Sequence, residues 1–327
     1  MKFFRWLGII LSAALVLSCV GILAAVGIAK ATEGKPDRTG SFASINTLIE
    51  RPANWQRFVE APRFNAYDFP RIDGSTVTVP MTMEIARQLA GVSEPVAQSL
   101  TNHWTTHDAY LHLIDGTCDV ILVTEPSEAE LVLASEKGVE LDVQPFALDA
   151  FVFITHRKNP VETLTVAQIQ GIYQKRVTNW KEVGGSDKSI VPFQREANSG
   201  SQTTMEQVVM KGTAMSSPET VSVVAGMGAL IETVAEYRNG AASIGYTFAY
   251  YIQNLYRNDA IKELAVEGVA PTFEHIRDRS YPFTTAYYVV VRKGDTGKGS
   301  IVRDFLLSDA GQKSVAQAGF CPLQEVK

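Results

Sequence analysis

The chain has 327 residues, 46% hydrophobic and 20% charged, with a formal net charge of −5. This is an ordinary globular composition with length enough for two lobes. Three cysteines are too few for a disulfide-dense scaffold, and the lack of a basic stripe or of basic–aromatic interleaving excludes nucleic acid as a partner.

In chain order, Lys2 and Arg5 precede an uncharged run of 24 residues, Trp6 to Ala29. A secretory apolar segment is about 7–15 residues, whereas about 20 span a bilayer, so residues 1–31 read first as a signal anchor. The two positive charges place that end in the cytoplasm. Two cleavage alternatives stay open: a small-x-small site at Ala29–Ala31, and "VLSC" at Cys19, which resembles a lipobox. All three export the remainder and make the membrane a partner through the N-terminal segment. Residues 1–31 hold three Lys or Arg and no acid, so the exported part carries 27 positive and 35 negative side chains, a formal −8. Any anion it binds must be held by local dipoles and one or two positive side chains.

Thr32–Ser44 is polar and reads as a linker, with 32–60 covering the linker and the start of the domain. Strand-like apolar runs then follow at Asp119–Val123, Ala150–Thr155, Ala242–Tyr246 and Tyr287–Val291. Runs apolar throughout are buried on both faces, which predicts α/β layers. Helices are expected between them. Met81, Ile85 and Leu89 recur at i+4 steps before Gly91, Thr165 and Gln168 form a capping box, one helix runs on to Gly240, and residues 300–319 are helical in two pieces. Cys118 and Cys321 could bridge or remain two buried thiols.

Enzyme signatures are absent: there is no G-x-S-x-G, H-E-x-x-H, Walker A or G-x-G-x-x-G. His103 and His107 have metal-compatible i, i+4 spacing, with His112 beyond, but only Asp108 is near as a further ligand. They are expected as surface or packing histidines, and no metal or cofactor is expected. Three hydroxyl-rich loops at element boundaries remain: Asp73–Pro80 with Ser75, Thr76 and Thr78; Thr124–Glu128; and "REANSGSQTT", Arg195–Thr204. In the last, Ser199 and Gln202 fit the S-x-x-Q box that places Ser199 at a helix N-cap. Free N–H groups at a helix start, a glycine that permits close approach and a guanidinium fork together suit an oxyanion.

"REANSGS" carries the R-x-x-x-S-G-[ST] pattern of phosphate-binding proteins that serve ABC transporters, and the exported chain resembles that family along nearly its whole length. Phe146–Gly185, "GAASIGYTFAYY", "GVAPTFEHIRDRSYPFTTAYYVVV" and "DGSTVTVPM" are the further similar segments. The resemblance implies an α/β chain with a type II periplasmic-binding-protein fold, in which two α/β lobes joined by crossing hinge strands close on one ligand. Lobe 1 would span 61–150 plus 285–327 and lobe 2 would span 151–284, with crossings near Ala150–Thr155 and Pro282–Val290. It further implies that Arg195 pairs with the anion, that Ser199, Gly200 and Ser201 supply hydroxyls and N–H groups, and that Ser75 or Thr76 covers the anion from lobe 1. Where the family has a Gly-Ser-rich loop, Thr105 or Thr106 stands here. Where it has a phosphate-reading aspartate, Thr124 or Glu125 stands. Glu125 as the carboxylate would favour phosphate over sulfate, because a carboxylate can only accept a hydrogen bond. The expected function is an extracytoplasmic, monomeric solute-binding protein that captures phosphate or a similar oxyanion and delivers it to an ABC transporter permease, without catalysis. A sensor or scaffold of the same fold is the alternative, separated by a ligand test. A phosphate-ester hydrolase is a third, and would need a metal set or nucleophile.

Overall fold

β-Branched and aromatic side chains pack well on a buried pleated surface, and the apolar runs become strands. The computed structural model describes residues 45, 54–217, 223–237 and 241–325. The apolar N-terminal run, its cleavage sites and the polar linker lie outside those residues. Among the described residues no helix is long and apolar enough to cross a membrane. The strands are β1 (Ile72–Gly74), β2 (Val120–Val123), β3 (Leu141–His156), β4 (Thr163–Leu164), β5 (Val191–Pro192), β6 (Gln194–Arg195), β7 (Val223–Val224), β8 (Ser243–Phe248), β9 (Ile261–Val266), β10 (Thr284–Arg292) and β11 (Cys321–Pro322). The helices are α1 (Val79–Ile85), α2 (Glu94–Ser99), α3 (Thr106–Ile114), α4 (Glu128–Glu136), α5 (Val166–Tyr173), α6 (Gly200–Thr204), α7 (Met227–Glu236), α8 (Phe273–Arg277), α9 (Lys298–Leu307) and α10 (Asp309–Gln317).

The helix signals act locally as written. Thr165 and Gln168 form the reciprocal capping box of α5. The C-terminal stretch is two helices, with Ser308 capping the second. Met81, Ile85 and Leu89 are buried. Their helix widens into a π turn over Ala86–Ala90 and stops at Gly91, whose φ of 65° needs no Cβ. The helix expected to reach Gly240 ends at Glu236, and Gly240 lies outside the described residues. Cys118 and Cys321 are both buried and free, and burial pushes their thiols up to about 12 and about 11.

Nine of the strands form one mixed sheet with the central path β1-β2-β10-β3-β8-β5, while β6 and β7 pair separately in parallel. β1 and β2 are parallel, so their carboxyl ends lie side by side. The sheet turns on β3, which is 16 residues long and longer than the apolar run foresaw. Its residues Leu141–Ala150 pair with β10, and from Phe151 onward it pairs with β8 and β9. The partner change falls between Ala150 and Phe151, where the Phe151 N–H donates to the Phe283 carbonyl (3.0 Å). Aromatic rings fill the junction: Phe151 lies 5.4 Å from both Tyr246 and Phe248, and Phe248 lies 5.6 Å from Tyr287.

Asp149 sits one residue before the crossing and is fully buried among these rings. Its Oδ1 accepts from the N–H groups of Ala150 (2.7 Å) and Tyr250 (3.1 Å), and its Oδ2 accepts from the Tyr287 hydroxyl (2.6 Å). Burial nonetheless raises the carboxyl to about 7, against the pull of those donors. The segment at Trp55 and Gln56 is also tied down. The Trp55 indole donates to Glu84 (2.9 Å), the Gln56 N–H donates to Gln317 (2.7 Å), and the Arg87 guanidinium lies 4.1 Å above the Trp55 ring.

The raised carboxyl has a pH consequence. Folded Asp149 titrates near 7 and an unfolded aspartate near ~3.9, so between these values the folded state holds the extra proton. Its stabilisation is complete below the unfolded value and is lost as pH rises through the folded one. Urea unfolding of wild type and Asp149→Asn at pH 5, 6, 7 and 8 should show wild type losing stability relative to the variant, by on the order of 2–4 kcal/mol over the full range. A stability difference that stays flat with pH would contradict this account.

Candidate functional site

Chain direction places the hydroxyl loops. Ser75 follows β1 and Thr124 follows β2, so both stand at the carboxyl ends of neighbouring parallel strands, where open α/β sheets present ligands. Ser75 is buried at the entry to a 3-10 turn over Thr76–Thr78, and its N–H donates to the Leu122 carbonyl (3.0 Å). The Ser75 carbonyl is held from behind by His103 Nδ1 at 2.9 Å, while His103 Nε2 meets the Thr82 hydroxyl at 2.9 Å. Burial lowers the His103 pKa, which favours the neutral ring. Its Nδ1–H then donates to Ser75 and its Nε2 accepts from Thr82. The Thr124 carbonyl is likewise taken, by the Tyr110 hydroxyl at 2.7 Å.

These supports leave two hydroxyls over. Ser75 Oγ and Thr124 Oγ1 are buried and have no hydrogen-bond partner among the described residues. An unpaired buried hydroxyl costs about 1–3 kcal/mol and asks for an explanation.

The third loop meets them. Ser199 is the N-cap of α6, and its hydroxyl accepts from the Gln202 N–H (3.3 Å). Asn198, at φ 62°, turns the chain into that cap. Gly200 is the first residue of the helix and has no room for a side chain. A Cβ there would lie 2.6 Å from Thr124 Oγ1 and 2.7 Å from Thr106 Oγ1. Thr106 is itself the first residue of α3, capped by Thr105. The starts of α3 and α6 and the end of β2 therefore converge, and the unpaired Thr124 hydroxyl lies between them. Gln207 adds a strut, donating through Nε2 to the Pro126 carbonyl (3.1 Å).

Of the residues singled out in the sequence, Thr106, Thr124 and Gly200 are brought into contact, Ser199 and Ser201 flank Gly200, and Ser75 lies at the adjacent strand end. Thr76 is half-buried in the turn after Ser75. Thr105 is exposed and serves as a cap only. Glu125 does not join the group: it is exposed, and its Oε1 accepts from the Tyr288 hydroxyl (2.7 Å). The histidines do not share a ligand, since His107 pairs with Glu130 and His112 with Asp73. Among the described residues no three His, Cys, Asp or Glu form a metal-ready group.

Arg195 is buried at the end of β6. Its backbone N–H donates to the Tyr246 hydroxyl oxygen (3.0 Å) and to Gln202 Oε1 (3.2 Å). The capping box read from the sequence is thus only half formed. Ser199 caps, but the Gln202 side chain is drawn away from the helix start to Arg195 and Tyr246. The guanidinium donates from Nε to the Val224 carbonyl (2.9 Å) and from Nε and Nη2 to Glu196 (3.1 and 2.7 Å). Burial acts to raise the Glu196 carboxyl, but the Arg195 hydrogen bond and charge outweigh it and hold it below its usual value. Among the described residues nothing bonds Nη1, which leaves one end of the fork available. Glu196 and Tyr246 escaped the sequence reading as site supports, while His103, expected as a surface or packing histidine, is buried and packs behind Ser75. Glu196 carried a signal in its adjacency to Arg195, whereas Tyr246 and His103 are supports that only the fold brings near.

Residues 96–310 match the family described as PBP superfamily domain. A phosphate-binding protein of Staphylococcus saprophyticus is 25% identical over 264 residues, covering 77% of this chain and 79% of the relative. Protein SphX of Synechococcus elongatus is 24% identical over 271 residues, with 77% and 76% covered. The fold is similar to that of a putative phosphate ABC transporter substrate-binding protein from Clostridium perfringens with bound phosphate. There the TM-score is 0.60 and identity 26%, over 77% of this chain and 98% of that one. The mixed sheet with its crossing strand is the type II periplasmic-binding-protein fold, and the chain belongs to the PBP superfamily.

Proposed function

We propose that the chain is an extracytoplasmic solute-binding protein that captures phosphate or a similar tetrahedral oxyanion and delivers it to an ABC transporter permease. The observation that carries the reading is the pair of buried, unpartnered hydroxyls of Ser75 and Thr124, the latter against the helix start at Gly200. An oxyanion there would accept from both hydroxyls, and from the N–H groups of Gly200 and Ser201 and the Nη1 end of Arg195, which have no partner among the described residues. Relatives of similar length that are phosphate-binding proteins support the choice of anion. The reading takes lobe 1 as 61–150 plus 285–327 and lobe 2 as 151–284, with the β3 crossing as the hinge. Closure then brings Gly200 of lobe 2 against Thr106 and Thr124 of lobe 1. In this role the protein acts as a monomer, binds without turnover, and stays attached to the membrane through its N-terminal segment.

Calorimetric titration of the full chain in detergent with phosphate tests the reading directly. Arg195→Ala should lose about 2–5 kcal/mol of binding while the fold survives, because a charge-assisted contact in a buried site is removed. Unchanged affinity would move the site elsewhere. Gly200→Ala should weaken binding by about 1–3 kcal/mol, since the new methyl group cannot sit beside the two β-branched threonines without pushing the loops apart. Wild-type affinity in that variant would show that the loops need not meet. Export predicts that protease added to intact cells digests the domain, and digestion only after lysis would refute it.

A further inference from the structure

We propose that this cluster is a donor-rich site without a carboxylate, open to fully ionised tetrahedral anions such as sulfate as well as to hydrogen phosphate, and that Thr124 is the residue that sets this breadth. The proposal rests on the oxyanion reading above and narrows its substrate class to tetrahedral dianions. Near neutral pH, phosphate still carries a proton and sulfate carries none. A binding site separates the two only if it contains a group that must accept that proton. A carboxylate is such a group, because it has no hydrogen to offer and would face a bare sulfate oxygen unpaired and with like charge.

The described residues assemble no such group here. The cluster offers the hydroxyls of Ser75, Thr106 and Thr124 and the N–H groups at the start of α6. Three carboxylates near it in the chain already have partners. Asp73 accepts from the Gly74 and Trp104 N–H groups (2.7 and 2.9 Å) and meets His112 (2.6 Å). Glu125 faces outward and accepts from Tyr288, and Glu196 is held by Arg195. At the decisive strand end it is Thr124 that is buried and unpartnered. A threonine hydroxyl can turn its proton toward a sulfate oxygen or accept the proton of hydrogen phosphate, so neither anion leaves it unpaired. Selectivity then comes from tetrahedral shape and charge, not from protonation.

The test is competitive calorimetric titration of the full chain in detergent with phosphate and sulfate at one ionic strength and pH 7.5. Wild type should bind the two within about tenfold of one another. Thr124→Asp should weaken sulfate by on the order of 100-fold and phosphate by less than about tenfold. Glu125→Gln should leave the ratio unchanged. A wild-type preference for phosphate beyond about 100-fold would overturn the proposal while leaving the oxyanion site standing. Binding of neither anion would overturn both. If Thr124→Asp does not fold, Thr124→Val should weaken both anions by the same factor, and a selective loss of one would overturn the proposal.

Discussion

A carboxylate buried in an aromatic junction holds this fold in register. Asp149 would be costly there without partners, and it finds three donors on three elements: Ala150 on β3, Tyr287 on β10 and Tyr250 just after β8. The position is where β3 leaves β10 and takes up β8. The two halves of the sheet are thereby clamped at their crossing. Only then can a loop following β6 in one half reach the strand ends of β1 and β2 in the other.

The site follows from a division of labour between its supports and its surface. Supporting groups satisfy the polar atoms that point away from the cluster. His103 takes the Ser75 carbonyl, Tyr110 takes the Thr124 carbonyl, and Gln202 with Tyr246 takes the Arg195 N–H. The Ser75 and Thr124 hydroxyls are left over. Burying polar groups without partners is unfavourable for the protein alone, so a ligand that completed the cluster would stabilise the fold. Gln207 joins two of the converging loops by donating to the Pro126 carbonyl.

Much of this was legible in the residues. Fully apolar runs mark β2, the second half of β3, β8 and β10, and the hydroxyl loops lie at the strand and helix ends where the sequence puts them. Ser199 caps α6 as its spacing requires. The first half of β3 was not legible, because Leu141–Asp149 is mixed in polarity and contains Pro145. That proline is accommodated where the β10 register shifts between Tyr287 and Tyr288. The choice between Thr124 and Glu125 was also closed to sequence reading, since one residue of register at a strand end decides which side chain is buried. Gln202 fits a capping box by spacing, yet tertiary partners outcompete the local bond. Local patterns state which hydrogen bonds are available, and the fold decides which are made.

The central claim is that an anion completes the Ser75, Thr124 and Gly200 cluster. Anomalous diffraction from crystals of the full chain grown with selenate, a tetrahedral dianion with a strong signal, tests it most directly. The account predicts one selenium peak placed so that the selenate oxygens lie within hydrogen-bonding reach of Ser75 Oγ, Thr124 Oγ1 and the N–H groups of Gly200 and Ser201. A well-ordered cluster with no selenium peak there and no density there in crystals grown with phosphate, or a single strong peak bound elsewhere on the domain, would contradict it.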